Sequence, residues 1–242
     1  MNLLILDAGH SFSTAGKRNE KENFYEWQFN NDMQYKIKAR CEDLGIKVFL
    51  TNPNPQSVSD LPLTTRANLA NDYWIKNNKC KAIFISIHAN AFSNSNTRGT
   101  ETYIASNAST TSKNFAKVLN DNIVSVMKKL DPASEDRGVK SENFTVIYKA
   151  SMPSVLCEYG FYSNLDDLKI LKNNKDDLAE ATVKAICSYF NIEYKEKVKV
   201  NENKFNGLYA VCVGAYKDRN KANSIDKELK EKGYTSTYLI IR

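Results

Sequence analysis

The sequence predicts an α/β fold: a mostly parallel, twisted sheet with helices on both faces, followed by a small C-terminal β-α-β unit. Two sequence patterns that alternate along the chain support this class. Short apolar runs that are typical of buried strands alternate with segments in which apolar residues recur at helical spacing. The alternation starts near the N-terminus and continues to about residue 190. Because two parallel strands need a long crossover, usually a helix, between them, this alternation favours parallel pairing.

The composition is that of an ordinary globular protein. Of the 242 residues, 42% are hydrophobic and 26% are charged, and the formal net charge is +6. No apolar run reaches the ~18 residues that a membrane span needs, so no span is expected. Basic residues are not interleaved with aromatic ones, which argues against a nucleic-acid partner. The five cysteines are odd in number and lack a C-x-x-C pair, which argues against a disulfide framework.

The first half of the chain contains strand and helix signals in alternation. An apolar run over residues 3–9 predicts the first strand. A helical pattern opens at Phe24, and Gly45 is placed to end it as a C-cap glycine. The apolar positions of this helix recur every four residues, at Phe29, Met33, Ile37 and Cys41. The elements expected next are a strand at 46–50, a helix at 64–76 and a strand at 82–88.

The second half continues the alternation. Polar and apolar residues alternate over 99–104, which predicts a half-exposed strand. Ser109 or Thr111 can cap a long helix that buries Phe115, Val118, Leu119, Ile123 and Val126. An apolar strand at 154–158 and two helices ending near Phe190 complete the predicted domain, residues 1–192.

The C-terminal fifty residues have a different character. Residues 193–206 are polar and charged without a clear period, which is typical of a linker. Residues 207–242 then predict a β-α-β unit, with strands at 208–213 and 234–241 around a helix at 219–232. A unit of this size is too small to form a secure core alone.

The chain has only two histidines, and each follows a short apolar run. His10 ends the run that starts at Leu3, and His88 ends the run that starts at Ala82. In parallel α/β sheets the carboxyl ends of the strands gather at one edge, so both imidazoles are expected there. Histidine is the commonest metal ligand in proteins. The residues alone leave open that each histidine is an ordinary hydrogen-bonded side chain.

Several carboxylates are placed in the sequence where they could join the two histidines as a metal ligand or a proton-transferring group. Glu20, Glu22 and Glu26 follow the His10 loop, and Glu26 is favoured as a metal ligand because it begins the first helix. Glu158 is an acid at the end of an apolar strand and is followed by Gly160. If it faces a cleft, burial would raise its pKa and suit it to proton transfer, although a capping or salt-bridged role remains the alternative.

Several motifs resemble the zinc-dependent N-acetylmuramoyl-L-alanine amidases of the amidase-3 type, which include bacterial autolysins and phage endolysins. The motifs are DAGH at 7–10, YEWQFN at 25–30, SIHANA at 86–91 and EYGFYSN at 158–164. The resemblance covers roughly residues 1–191. It departs at Ser11, where the family usually has a glycine.

The resemblance implies a set of site residues and a reaction. Zinc would be bound by His10, Glu26 and His88, and Glu158 would be the catalytic glutamate. The substrate would be bacterial peptidoglycan, cut at the amide bond between N-acetylmuramic acid and L-alanine by a zinc-activated water. Asn90 and the loop residue Arg137 are candidate substrate contacts. Arg66 could also bind a stem carboxylate, although a structural role at a helix start is favoured.

The C-terminal segment resembles the first half of a SPOR domain, a module that binds glycan strands of peptidoglycan. The full module is β-α-β-β-α-β, whereas 207–242 supply only β-α-β. Half of such a sheet leaves an open edge, so two chains could pair their halves and form a homodimer. A remnant without a binding role is the other interpretation.

The N-terminal sequence predicts where the protein resides in the cell. Residues 1–7 lack a basic region ahead of the apolar run, so they predict a core strand and not a signal peptide. We therefore expect a protein that stays in the host cytoplasm until it is released to the cell wall, as a phage endolysin does. A sporulation lysin is a second context. A zinc peptidase that cuts within the stem peptide and an inactive wall-binding protein are the alternative functions.

Overall fold

A computed structural model describes residues 1–56, 60–196 and 219–231. Contacts within the chain divide it into two units, Met1–Lys197 and Val198–Arg242. The linker predicted at 193–206 spans this division. Both strands predicted for the C-terminal unit lie outside the described residues.

The described residues form eight strands and seven helices. In chain order these are β1 (Asn2–Ala8), β2 (Arg18–Asn19), β3 (Phe24–Tyr25), α1 (Glu26–Asp43), β4 (Lys47–Leu50), α2 (Leu63–Lys76), β5 (Lys81–Asn90), β6 (Thr100–Ile104), α3 (Thr110–Leu130), β7 (Asp136–Ser141), α4 (Thr145–Tyr148), β8 (Ser154–Phe161), α5 (Leu165–Asn173), α6 (Lys175–Phe190) and α7 (Arg219–Glu231).

Six strands form one sheet in the order β4-β1-β5-β8-β6-β7. The four strands β4, β1, β5 and β8 are mutually parallel. Strand β6 runs antiparallel to β8, and β7 runs parallel to β6. The carboxyl ends of β1, β5 and β8 therefore lie side by side, and this edge carries the candidate site.

Helices cover both faces of the sheet, as predicted. Leu4 and Leu6 of β1 belong to the larger apolar cluster, with buried side chains of α1, α3 and α6. Leu3 and Ile5 belong to a second cluster with side chains of α2 and α4. Successive residues of a strand point to opposite faces, so this continuous apolar run indicates burial on both sides. The predicted α/β class is confirmed.

The first helix starts two residues later than predicted. Phe24–Tyr25 forms a short strand that pairs antiparallel with Arg18–Asn19, and α1 begins at Glu26. A two-residue strand has no local period that would distinguish it from the start of a helix. Its existence depends on pairing with a segment several residues away.

The segment at 99–104 is a strand, but it is not half-exposed. Thr100, Glu101 and Thr102 of β6 are all buried. Strand β6 has a neighbour on each side, β8 and β7, and α3 packs against it, so its polar residues are enclosed. The prediction that Val118 is buried is also wrong, because 37% of this residue is exposed.

The helix predicted in the C-terminal unit is confirmed as α7, Arg219–Glu231. Among the described residues, no helix combines the length and the apolar character needed to cross a lipid bilayer.

Candidate active site

His10, Glu26 and His88 converge at the carboxyl edge of the sheet. The Nε2 atom of His10 lies 3.3 Å, and the Nδ1 atom of His88 lies 3.1 Å, from the same carboxylate oxygen, Oε1 of Glu26. The two imidazole rings are 5.0 Å apart and nearly perpendicular. One ligand atom from each residue lies within 4.8 Å of the others. The three side chains can therefore share one metal ion.

Backbone geometry at the end of β1 brings the two histidines together. The Gly9 N–H donates to the carbonyl of Ile87 (3.1 Å), which extends the contact between β1 and β5. His10 then adopts a left-handed conformation with φ of 64°. A Cβ atom on Gly9 would lie 2.1 Å from Cε1 of His88, so only glycine leaves room for the ring. This requirement accounts for the glycine in the DAGH motif.

Buried polar side chains hold the loop that carries His10. The amide of Asn52 donates to the carbonyls of Ala8 (3.0 Å) and His10 (3.1 Å), and the amide of Asn30 donates to that of Gly9 (3.0 Å). Arg66 is 1% exposed and donates to the Ala8 carbonyl at 2.9 Å. Such a buried arginine stabilises the loop and has no surface to offer a substrate.

Glu26 is fixed both by its helix and by its partners. It is the first residue of α1, where a negative charge interacts favourably with the helix dipole. Burial alone would raise the pKa of Glu26, but hydrogen bonds to His10 and His88 outweigh it and lower the pKa to about 2. Burial lowers the pKa of His88, partly offset by Glu26. An ionised carboxylate beside a neutral imidazole is the state that binds a cation.

Glu158 lies on β8 directly beside His88 of β5, with which it is in register. Its Oε2 atom is buried and has no hydrogen-bond partner among the described residues. Burial raises the pKa of Glu158 well above its ordinary value, and the nearby carboxylates of Glu26 and Glu101 add to this effect. A carboxyl group with a raised pKa and a free oxygen is suited to accept and release a proton.

The donor set fits a catalytic zinc ion. Two imidazole nitrogens and one carboxylate oxygen provide three protein ligands, and tetrahedral zinc then keeps a fourth position for water or substrate. Glu158, on the strand next to His88, is not one of these three residues, and its buried Oε2 atom has no hydrogen-bond partner among the described residues.

The two predicted substrate contacts lie together, but Arg137 is not in a loop. It belongs to β7, an edge strand. Arg137 Nε donates to Oε2 of Glu101, and Asn90 Nδ2 donates to Oε1 of the same carboxylate, both at 2.7 Å. Glu20 and Glu22, which were considered beside Glu26, are outside the group of potential metal ligands.

Sequence reasoning missed Glu101, which organises this part of the site. Its side chain is 2% exposed, and Lys140 and Tyr103 also donate to it. The alternation over 99–104 predicted a half-exposed strand and gave no reason to expect a buried carboxylate there. The one available signal was the pair of basic residues in the segment RGVK at 137–140, which needs a counter-ion.

Comparison with known proteins identifies the family. The family model described as N-acetylmuramoyl-L-alanine amidase (Amidase_3) matches residues 4–188, which include every residue of the site. The chain belongs to this family. Members of the family are hydrolases that act as amidases on peptidoglycan, so this assignment confirms the predicted enzyme class.

Two of the similar proteins are named as amidases and one is named as an endolysin. The sporulation-specific N-acetylmuramoyl-L-alanine amidase of Bacillus subtilis is 26% identical over 98% of this chain and 84% of its own length. The endolysin of Bacillus phage SPP1 is 34% identical over 50% of this chain and 45% of its own. The solved catalytic domain of the amidase CwlV from Bacillus (Paenibacillus) polymyxa is 28% identical and superposes with a TM-score of 0.67, covering 80% of this chain and 100% of that domain.

Proposed function

We propose that this amidase hydrolyses the bond between the lactyl group of N-acetylmuramic acid and L-alanine of the stem peptide, with zinc held by His10, Glu26 and His88. The observation that carries the proposal is the convergence of these three side chains, with ligand atoms within 4.8 Å, beside Glu158. No other set of potential metal ligands of this kind occurs in the part of the chain that the structure describes.

In the proposed reaction the metal and the protein side chains have different roles. Zinc held by His10, Glu26 and His88 would supply Lewis acidity toward the amide carbonyl and the attacking water. Glu158 accepts the proton of the attacking water and then donates it to the nitrogen of the departing L-alanine.

In the metal-free protein, burial raises the pKa of Glu158 and the carboxylates of Glu26 and Glu101 add to this effect. Burial and Glu101 continue to act when zinc neutralises the charge of Glu26, and they suit Glu158 to hold the proton until the amine leaves. Asn90 and Arg137 bind the substrate beside this centre.

A metal analysis and one variant test the proposal. The purified protein should contain about one zinc per chain, and chelation should abolish lysis of cell walls. Glu158→Gln should retain the zinc and the wall binding but lose lysis. Mass spectrometry of the released fragments should show free N-terminal L-alanine. Cleavage between later stem residues would instead identify a zinc peptidase, and binding without any cleavage would identify an inactive wall-binding protein.

Two biological roles have support. An endolysin that waits in the host cytoplasm is consistent with the similarity to the phage enzyme, but that similarity spans only half of the chain. A sporulation lysin is favoured by the relative that aligns over 98% of it, including the C-terminal unit. Expression of the chain in the cytoplasm of a host, with and without a membrane-permeabilising holin, distinguishes them: an endolysin lyses growing cells only with the holin.

The C-terminal unit, 207–242, is proposed to bind the wall or to pair with a second chain. The support is the sequence resemblance to half of a SPOR module and the helix α7. Pairing in a homodimer remains a prediction. Sedimentation that shows only monomer at high concentration would exclude the homodimer. Loss of glycan binding on deletion of 207–242 would support the wall-binding role.

A further inference from the structure

A polar pocket adjoins the strands that carry His88 and Glu158. Its volume is about 300 Å³, and its lining includes Asn90 of β5, Glu101 and Tyr103 of β6, Arg137 and Lys140 of β7, and Phe161 of β8. Glu101 lies directly opposite Glu158 across the antiparallel β6–β8 pair, so the pocket and the proposed base share one face of the sheet.

Glu101 is completely engaged by donors of the pocket. Its Oε1 atom accepts from the Asn90 amide and from the Tyr103 hydroxyl, both at 2.7 Å. Its Oε2 atom accepts from Arg137 Nε at 2.7 Å and from Lys140 Nζ. With four donors and 2% exposure, Glu101 has no capacity left for a substrate. Its effect is to fix the side chains around it.

The two cations remain accessible to a ligand. The side chains of Arg137 and Lys140 are 26% and 37% exposed. Glu101 occupies Nε of Arg137, and the exposed carboxylate of Glu135 lies 3.7 Å from Nη1, too far for a hydrogen bond, so a ligand carboxylate can displace it. The guanidinium also lies over the Phe161 ring, 4.9 Å from its centroid, which restricts its orientation. Two cations held by one buried carboxylate favour an anionic ligand.

We propose that Glu101 is a positioning residue that holds Arg137 and Lys140 as a binding subsite for a free carboxylate of the peptide stem. This inference rests on the proposed function, because the subsite lies beside the amide that the enzyme would cut. An arginine fork with a neighbouring ammonium matches the planar geometry of a carboxylate and discriminates against its uncharged carboxamide.

Synthetic muramoyl-L-alanyl peptides test the subsite. The second residue carries either a free α-carboxylate or its carboxamide, and each form is made with a C-terminal acid and with a C-terminal amide. The wild-type enzyme should prefer one carboxylate over its carboxamide by roughly tenfold or more in kcat/KM, mainly through KM, as expected for a charge-assisted hydrogen bond. The four peptides show which stem carboxylate is bound.

The variants assign the preference to residues. Arg137→Gln and Lys140→Gln should each reduce the ratio between acid and carboxamide toward one, whereas Lys117→Gln, which removes an exposed lysine from α3, should leave the ratio unchanged. Glu101→Gln retains both cations but no longer anchors them, so the ratio should fall there too. Zinc content and melting temperature report whether each variant is folded.

The outcomes separate the two proposals. Cleavage at the muramoyl-alanine bond without any preference for acid over carboxamide overturns the subsite and leaves the proposed function standing. Cleavage of none of the four peptides at this bond overturns the proposed function. A Glu101→Gln enzyme that is folded and keeps the full preference refutes the positioning role. If Glu101→Gln does not fold, the Arg137 and Lys140 variants still decide whether the subsite exists.

Discussion

Replacing Gly9 by alanine should remove His88 from the metal centre. The added Cβ would lie 2.1 Å from Cε1, 2.4 Å from Nε2 and 2.5 Å from Nδ1 of the His88 ring. Real Cβ contacts are longer than 3.0 Å, so the ring must retreat by about 1 Å or more. Gly9 does not have a positive φ, so the alanine backbone itself is unstrained, and the three atoms nearest to the added Cβ all belong to the His88 ring.

A displacement of this size is incompatible with coordination by His88. Metal–ligand distances are met to within about 0.2 Å, and loss of outer-sphere support alone weakens metal affinity roughly 10- to 100-fold. Displacing one of three ligands should therefore weaken zinc binding by at least about 100-fold. Competition with a chromophoric chelator measures this change directly, independently of wall lysis.

Two controls isolate the cause. Gly45→Ala introduces the same methyl group at a position with φ of 76° and no neighbour within 4 Å, so it should lower stability but not zinc affinity. In a His88→Ala background, Gly9→Ala should cause no further loss of affinity, because the ring that it displaces is absent. Gly9→Ala with wild-type zinc affinity would refute the reasoning.

Three further predictions concern single residues. Glu158→Gln should reduce kcat by about 10²- to 10⁴-fold with unchanged zinc content, and activity near the wild-type level would contradict its role as the base. In the metal-free protein the pKa of Glu26 is about 2, against 4.5 ordinarily, so the ionised form stabilises the fold above pH 4.5 and this contribution is lost as the pH falls toward 2. Urea unfolding with chelator present should show that the free energy of unfolding of the wild type falls by an amount on the order of 3 kcal/mol between pH 4.5 and pH 2. The fall should be much smaller in Glu26→Gln, and an equal pH dependence in the two proteins would contradict the stabilising role of Glu26. Asn164→Ala removes the N-cap that accepts from the N–H groups of Asp166 and Asp167, and should cost about 1 kcal/mol, seen as a lower melting temperature without loss of bound zinc.

The site residues near the carboxyl ends of β1, β5 and β8 could be found from the sequence. His10 and His88 each follow an apolar run that contains one polar residue, and Glu158 follows the uninterrupted apolar run 155–157. Runs of this kind indicate strands buried on both faces. Parallel strands bring their carboxyl ends to one edge, so His10, His88 and Glu158 were expected to be neighbours. The choice of Glu26 followed from its place at the start of a helix. Local patterns brought these residues close to the carboxyl edge but not to the exact strand ends, because β5 continues two residues beyond His88 and β8 continues three residues beyond Glu158.

The sheet edge at β6 and β7 could not be found in the same way. Strand β7 (Asp136–Ser141) is mostly polar and largely exposed, so it has no apolar run, and its pairing with β6 is a non-local contact. Strand β6 was assigned as a strand but with the wrong environment, because alternation cannot reveal that a polar residue such as Glu101 is enclosed by partners from other strands. The placement of Arg137 in a loop was wrong for the same reason.

Glu101 and Glu158 lie opposite each other on β6 and β8, an arrangement that normally destabilises a sheet when both groups are ionised. Their surroundings resolve the conflict. Burial alone would raise the pKa of Glu101, but hydrogen bonds from Lys140, Arg137 and Tyr103 lower it, so Glu101 stays ionised. Glu158 has no such donors, and the charge of Glu101 adds to the effect of burial in raising its pKa. The same pair therefore supplies one anchored anion and one carboxyl group that can carry a proton, which is how neighbouring carboxylates acquire different roles in one site.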